Sequence, residues 1–286
     1  MTKMKKLLEG KKCVVTSGAH GLGYEIAKLF SMHGASIAIC GPSDDGEKSA
    51  EEFRTYNKDS FFEKCDMSDI NQVEIFADSV IEKFGKVDIL VNNVGINIKE
   101  LIVDINMDNY EKVQTTNLKS SVLLTKKIVK NMLDNGIRGS VINISSMNAL
   151  APSPTVGSYC ASKGGMNAFT QTLAVEVGKY GIRANAICPG WVATTYILKD
   201  VKEGLENGKS AFDVLEAYNG SSPLIAPARG RDIANHALFF ASDMSSFITG
   251  CILKSDGAAI IQAHECEYPQ PEDAEEMRRE YYDTIA

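Results

Sequence analysis

Short apolar, β-branched runs alternate with amphipathic stretches along this chain. The runs are KCVVTS (12–17), SIAIC (36–40), SFFEKC (60–65), VDILVNN (87–93), GSVINISS (139–146), IRANAICP (182–189) and GCILKS (250–255). Each has strand length and strand composition. Between them lie stretches of helical period such as YEIAKLFSMHG, INQVEIFADSVIEKFG and GGMNAFTQTLAVEVGKYG, which end in glycine as helix C-termini often do. Strand and helix in turn, at this spacing, predict a parallel sheet covered on both faces. The expected class is α/β, a doubly wound fold around a central parallel sheet of about seven strands.

No repeat, linker or change of composition interrupts residues 1–262, which are expected to form one domain. Residues 263–286 differ in character. Pro269 and Pro271 break the chain, and PEDAEEMRRE then suits a short helix with acids in its first turn. This tail is either a frayed end or an arm laid on a neighbouring subunit. Tyr268, Tyr281 and Tyr282 among its acids favour the arm.

Bulk composition narrows the function. The 286 residues are 44% hydrophobic and carry a formal net charge of -7, which argues against nucleic acid or an anionic membrane as partner. No run has the length and apolarity of a membrane span, and the basic N-terminus lacks the apolar core of a signal peptide. The seven cysteines show neither a CxxC nor a Cys/His ligand cluster, so reduced structural thiols and a cytoplasmic location are expected, with no metal.

Chemistry enters at two places. The first strand runs into TSGAHGLG (16–23) and then directly into a helical pattern. Glycines in such a turn let the backbone approach a pyrophosphate at a helix N-terminus. Further on, YCASK sets Tyr159 and Lys163 four residues apart, on one helical face. A free tyrosine has a pKa of about 10, and a neighbouring ammonium favours the phenolate. Such a pair suits a phenol whose proton is labile.

These motifs together resemble the short-chain dehydrogenase/reductase family, over about residues 8 to 260. Its TGxxxGxG turn aligns with Thr16 to Gly23, with Gly21 and Gly23 in place, Ser17 at the first glycine and Gly18 after it. NNVG (92–95) is similar to the family's NNAG, and PGWVATT (189–195) to its PGxxxT segment. Ser146 precedes Tyr159 by the family's spacing, and SDGA (255–258) closes the match.

The resemblance implies a Rossmann fold and an NAD(P)-dependent oxidoreductase that interconverts a secondary alcohol and a ketone. It implies four catalytic residues. Tyr159 is the acid/base, Lys163 also holds the nicotinamide ribose, Ser146 steadies the substrate oxygen, and Asn117 holds a proton-relaying water. The implied cofactor contacts are Ser17, Gly18, His20, Gly21, Leu22 and Gly23, then Gly41, Pro42 and Ser43, then Asp66 and Met67. Asn93, Val94 and Gly95 follow, with Tyr159, Lys163, Pro189, Gly190, Val192 and Thr194. A homotetramer is implied too, built on the long helices around Asn117 and Tyr159 and on the last strand, with His264 of the tail near a neighbour's pocket. A non-catalytic dinucleotide sensor on the same fold is the alternative.

Neither usual cofactor signature is met at ICGPSDDG (39–46). Asp44 and Asp45 would repel a 2′-phosphate, and no arginine or lysine is evident there, so NAD is expected, with NADP open. The substrate pocket is expected to use Ser146, Tyr159, Ile96, Asn97, Met147, Asn148, Trp191 and Tyr196. A long lid, residues 194–223, would cover it, with apolar positions in SAFDVLEAY that either face substrate or anchor the lid. Lid length speaks against fatty-acid-synthesis ketoreductases. It leaves either a bulky ring, as in hydroxysteroid dehydrogenases, or a sugar acid or polyol, as in gluconate 5-dehydrogenase.

Overall fold

All seven predicted runs form strands: β1 (Lys12–Val15), β2 (Ser36–Gly41), β3 (Phe61–Lys64), β4 (Ile89–Asn92), β5 (Ser140–Ile144), β6 (Arg183–Pro189) and, at the end, Ile252–Ser255. In this computed structural model, which describes residues 6–219, 222–261 and 273–285, a two-stranded pair intervenes, β7 (Val192–Ala193) with β8 (Ala228–Arg229), so the last strand is β9. The seven long strands make one parallel sheet in the order β3-β2-β1-β4-β5-β6-β9. The order in which successive strands are added to the sheet reverses between β1 and β4. That reversal opens a crevice beyond the C-terminal strand ends, where such sheets bind ligands.

Among the described residues there are ten α-helices, α10 following the last strand: α1 (Gly21–Met32), α2 (Gly46–Tyr56), α3 (Ile70–Phe84), α4 (Met107–Gln114), α5 (Ser120–Asp134), α6 (Gly157–Val177), α7 (Thr195–Glu206), α8 (Ala211–Asn219), α9 (Gly230–Ala241) and α10 (Ala274–Asp283). Strand residues alternate between two cores. Val15, Ile37, Ile39, Val91, Ile142 and Ile187 face α1 and α9, while Val14, Ala38, Cys40, Leu90, Val141 and Ala184 face α3, α5 and α6. This burial on both faces is why the strands read as continuous apolar runs. Local signals set the helix ends. Asp69 accepts the Asn71 and Gln72 amides to start α3, and Gly85 ends it at φ 70°. No helix among the described residues is long and apolar enough to cross a membrane, and the six described cysteines are unpaired thiols.

The expected lid holds two helices, α7 and α8. The β7–β8 pair ties its two roots together. The tail does form a helix, but α10 lies against α8 of its own chain, and Tyr282 is 1% exposed there. Tyr281 and Tyr282, expected on a neighbour, are thus engaged within the chain. His264 and Tyr268 lie outside the described residues.

A buried polar thread crosses the sheet beneath the crevice. The Asn92 side-chain amide donates to Thr125 Oγ1 at 2.9 Å and to Asn143 Oδ1 at 2.8 Å, and Asn143 in turn donates to Thr170 Oγ1 at 2.8 Å. It fastens β4 and β5 to α5 and α6, and every member is dry. Asn143→Leu would leave Asn92 and Thr170 short of a partner, at a cost of about 3 kcal/mol. Denaturant melts should show that loss, and a change below about 1 kcal/mol would mean the thread is dispensable.

Candidate active site

The phosphate-binding turn takes its shape from backbone proximity. A side chain at Gly23 would lie 2.3 Å from the Ser17 carbonyl oxygen and 2.6 Å from Asn93 Nδ2, so none fits. Ser17 replaces a family glycine yet adopts φ 50°, the left-handed conformation that glycine would take. The turn therefore keeps its geometry, with some strain stored at Ser17. Gly18, Gly21 and Leu22 complete the entry to α1. Thr16, the first residue of the motif but not among the implied cofactor contacts, pins the turn to β4. Its Oγ1 accepts from the Asn93 amide at 2.9 Å and the Val94 amide at 3.1 Å. Asn93 reaches back from its side chain to the carbonyls of Thr16 and Ser17.

At the adenosine end, Gly41, Pro42 and Ser43 follow β2, and Asp66 and Met67 follow β3. His20 Nε2 meets Asp45 Oδ2 at 2.7 Å, and Ser43 Oγ donates to Asp45 Oδ1 at 2.5 Å. The serine hydroxyl first, then the histidine, hold the Asp45 carboxyl below its usual range. One expectation needs correction: a lysine is present. Register pairs Gly41 with Lys64, whose Nζ lies 3.1 Å from Asp44 Oδ2. Only the strand pairing reveals that neighbour. Asp66 turns its carboxylate onto the Ser68 amide and hydroxyl, both at 2.8 Å, and Met67 is buried among the Cys40 and Cys65 thiols.

The four expected catalytic residues converge at the ends of β4 and β5. Ser146 stands two residues beyond β5, its Oγ accepting the Asn148 amide at 3.1 Å. Tyr159 and Lys163 share a face of α6 as the spacing predicts. Lys163 is 2% exposed and donates to the carbonyls of Ile144 at 2.8 Å and Val94 at 3.3 Å. A Cβ on Gly95 would lie 3.2 Å from Lys163 Nζ and 3.9 Å from Asn117 Oδ1, which places that glycine between the two. Asn117 sits in a π-helical turn (Thr115–Lys119) joining α4 to α5. Its Oδ1 accepts the Ile96 amide at 2.8 Å, while Nδ2 donates to the Ile96 carbonyl at 2.9 Å and to Ser162 Oγ at 3.0 Å. Asn117 thereby braces the loop after β4.

Electrostatics depart from the expectation in one respect. Burial raises the Tyr159 pKa above its ordinary value, and a Ser146 hydrogen bond brings it only partly back. The Lys163 ammonium lies 5.8 Å from the ring centroid and donates to two backbone carbonyls. Burial also lowers Lys163 itself to about 8.

A cavity of about 600 Å³ opens beside Tyr159 and Ser146. Ile96, Asn97, Met147, Asn148 and Trp191 line it as expected, with Gly190 and Thr194 at its edge. Pro189 and Val192 flank that edge within β6 and β7. The Tyr196 backbone belongs to α7, but its side chain lies outside the described residues. Lys99, Ser153 and Thr155 also line the cavity and were not foreseen. They lie on loops without a motif, so no spacing marks them.

Comparison with known proteins points to one family. A family model described as enoyl-(acyl carrier protein) reductase matches residues 17–258. A 3-oxoacyl-(acyl-carrier-protein) reductase of Chlamydia muridarum is 34% identical, covering 89% of this chain and 99% of its own. An L-rhamnose 1-dehydrogenase (NADP(+)) of Thermoplasma acidophilum is 36% identical, covering 88% and 97%. The crystal structure of a short-chain type dehydrogenase/reductase from Mycobacterium marinum superposes with TM-score 0.76 at 26% identity, covering 88% of this chain and 96% of that one. The ketoreductase class set aside on lid length is therefore represented among similar proteins, whereas no hydroxysteroid or gluconate enzyme is among these.

Lys163 gives the site a pH signature. Its pKa falls from the ordinary 10.5 to about 8 on folding, so between those values the unfolded chain binds the extra proton. Stability carried by this residue must then rise with pH across that window. Wild type should gain on Lys163→Met as pH climbs from about 8 toward 10.5. Denaturant midpoints that keep a constant separation would show that Lys163 titrates normally.

Proposed function

The chain belongs to the short-chain dehydrogenase/reductase family of NAD(P)-dependent oxidoreductases acting on CH–OH groups, and we propose that it interconverts a secondary alcohol and a ketone with Tyr159 as general acid/base. The observation that carries this reading is the convergence of Ser146, Tyr159, Lys163 and Asn117 around Gly95, at the mouth of an open cavity. The residues fit a dinucleotide: the turn at 17–23 admits no side chain at Gly23 and opens α1 at the crevice. When bound, the nicotinamide supplies or accepts the hydride.

The chain's own residues handle the proton and the orientation. Tyr159 is protonated at neutral pH, its pKa held at or above the ordinary phenol value, and has a proton to give to a developing alkoxide. Ser146 donates to the same substrate oxygen, in place of its contact with Tyr159. Lys163 remains largely protonated below about pH 8 and stabilises the phenolate left behind. Asn117 keeps the Ile96–Asn97 wall in place and offers the outward proton path.

For the substrate we favour a polyol, sugar or sugar acid. Asn97, Lys99, Asn148, Ser153 and Thr155 give the cavity a polar wall that a hydroxylated molecule would satisfy and a steroid would not. A 3-oxoacyl ester is the second reading, supported by the similarity to the Chlamydia reductase. The preferred cofactor is NAD. Asp44 and Asp45 against Lys64 leave a net negative adenosine site, unfavourable for an added phosphate. A cytoplasmic homotetramer is the proposed form. Its support is the edge strand β9, flanked by a fully exposed Phe247 and a largely exposed Met244.

Tyr159→Phe should abolish turnover of polyols, sugars and 3-oxoesters alike while dinucleotide affinity stays near wild type. Retained turnover would remove Tyr159 from the chemistry, and a wild type that binds dinucleotide without turning anything over would mark a sensor. Asp44→Ser releases Lys64 and should raise kcat/KM for NADP(H) relative to NAD(H) about tenfold, close to 1.4 kcal/mol. A wild type already favouring NADPH about tenfold would overturn the cofactor reading.

A further inference from the structure

The lid has a core of its own, and the C-terminal helix completes it. Ile197 and Val201 of α7, Leu215 of α8 and Tyr282 of α10 are buried together. The Tyr282 hydroxyl donates to Glu216 Oε2 of α8 at 2.8 Å, and its ring packs 5.6 Å from that of Phe212. The Arg279 guanidinium lies 4.0 Å from the Phe212 ring centroid on the same side. A ten-residue helix with this many charges has little stability alone. Its fold is the contact with the lid, and the contact must act on the lid in return.

That contact reaches the active site in one step. Tyr218, also on α8, donates its hydroxyl to Asp200 of α7, and its ring meets Trp191 edge-on with centroids 5.1 Å apart. Trp191 lines the catalytic cavity and also a second cavity of about 450 Å³. The second cavity is walled by Ile225, His236, Asp256 and, from α10, Tyr281. The indole therefore stands between two spaces, 39% exposed and braced by the lid.

We propose that Trp191 is the partition that limits substrate size, and that α10, anchored by Tyr282, is the positioning element that holds it through α8. This rests on the dehydrogenase reading of the cavity beside Tyr159. With the partition in place the substrate is confined to the cavity beside Tyr159, whose Asn97, Asn148 and Ser153 suit a compact hydroxylated molecule. Displacing it joins the second cavity to the first and admits longer chains.

Trp191 is the chain's single tryptophan, so its emission reports the partition without any turnover. Tyr282→Ala, or deletion of residues 273–286, should red-shift that emission and remove protection from acrylamide quenching. Tyr282→Phe keeps the ring and loses only the Glu216 bond, and should stay near wild type. A dinucleotide-induced rise in Tm, retained in each variant, shows that the main fold stands. Unchanged emission and quenching in both Tyr282→Ala and the deletion would overturn the link. Size selection is read with alkyl 3-oxoesters of rising chain length. Trp191→Ala should raise the long-to-short ratio of kcat/KM about tenfold, and Tyr282→Ala should move it the same way through KM. An unchanged ratio in Trp191→Ala would overturn the partition. A wild type that turns over none of the esters would fault the reading of the site, and the quenching comparison would then decide the link alone.

Discussion

A buried ammonium organises this molecule. Lys163 has almost no contact with solvent, and burial alone would drive the proton off. It stays charged near neutrality because two strand-end carbonyls, from Val94 beyond β4 and Ile144 of β5, accept its protons. Those carbonyls are available only where parallel strands end side by side. A side chain at Gly95 would crowd the ammonium, and α6 runs close over the sheet. Once Lys163 is fixed, Tyr159 falls on the same face one turn earlier, and Ser146 lies two residues past the Ile144 carbonyl. The site's geometry follows from the one place where that charge can be satisfied.

Such a charge needs a rigid floor. The Asn92–Asn143–Thr170 thread supplies it, because dry and mutually bonded amides resist displacement. Thr16 does the same at the crevice by holding the β4 end against the phosphate turn. The lid is built differently. Its small core meets the body at the Trp191–Tyr218 ring contact and at the short β7–β8 pair rather than through buried amides.

Strands and the Tyr159–Lys163 face were legible in the sequence because each depends on local period. Strands buried on both sides show unbroken apolar runs, and an i, i+4 pair needs only a helix to meet. What escaped depends on depth or on register. Burial moves the Tyr159 pKa upward, and depth is something spacing alone does not encode. Lys64 reaches Asp44 because β2 and β3 pair in one register, and a shift of one residue would point it to the other face. Tyr282 sits in an acidic, polar segment, and nothing local says that its ring is the lid's largest buried side chain.

The two ends of the crevice therefore answer to different electrostatics. At the adenosine end the charged pairs are exposed, and water and salt screen them. A single substitution there can shift cofactor choice without touching the fold. At the catalytic end the charge is dry, held by backbone groups that no side-chain substitution removes, and coupled to strand ends and helix packing. Change at that end costs the fold as well as the chemistry. Variation should accumulate where screening makes it cheap, at the adenosine rim and on the lid, around a buried centre that cannot follow.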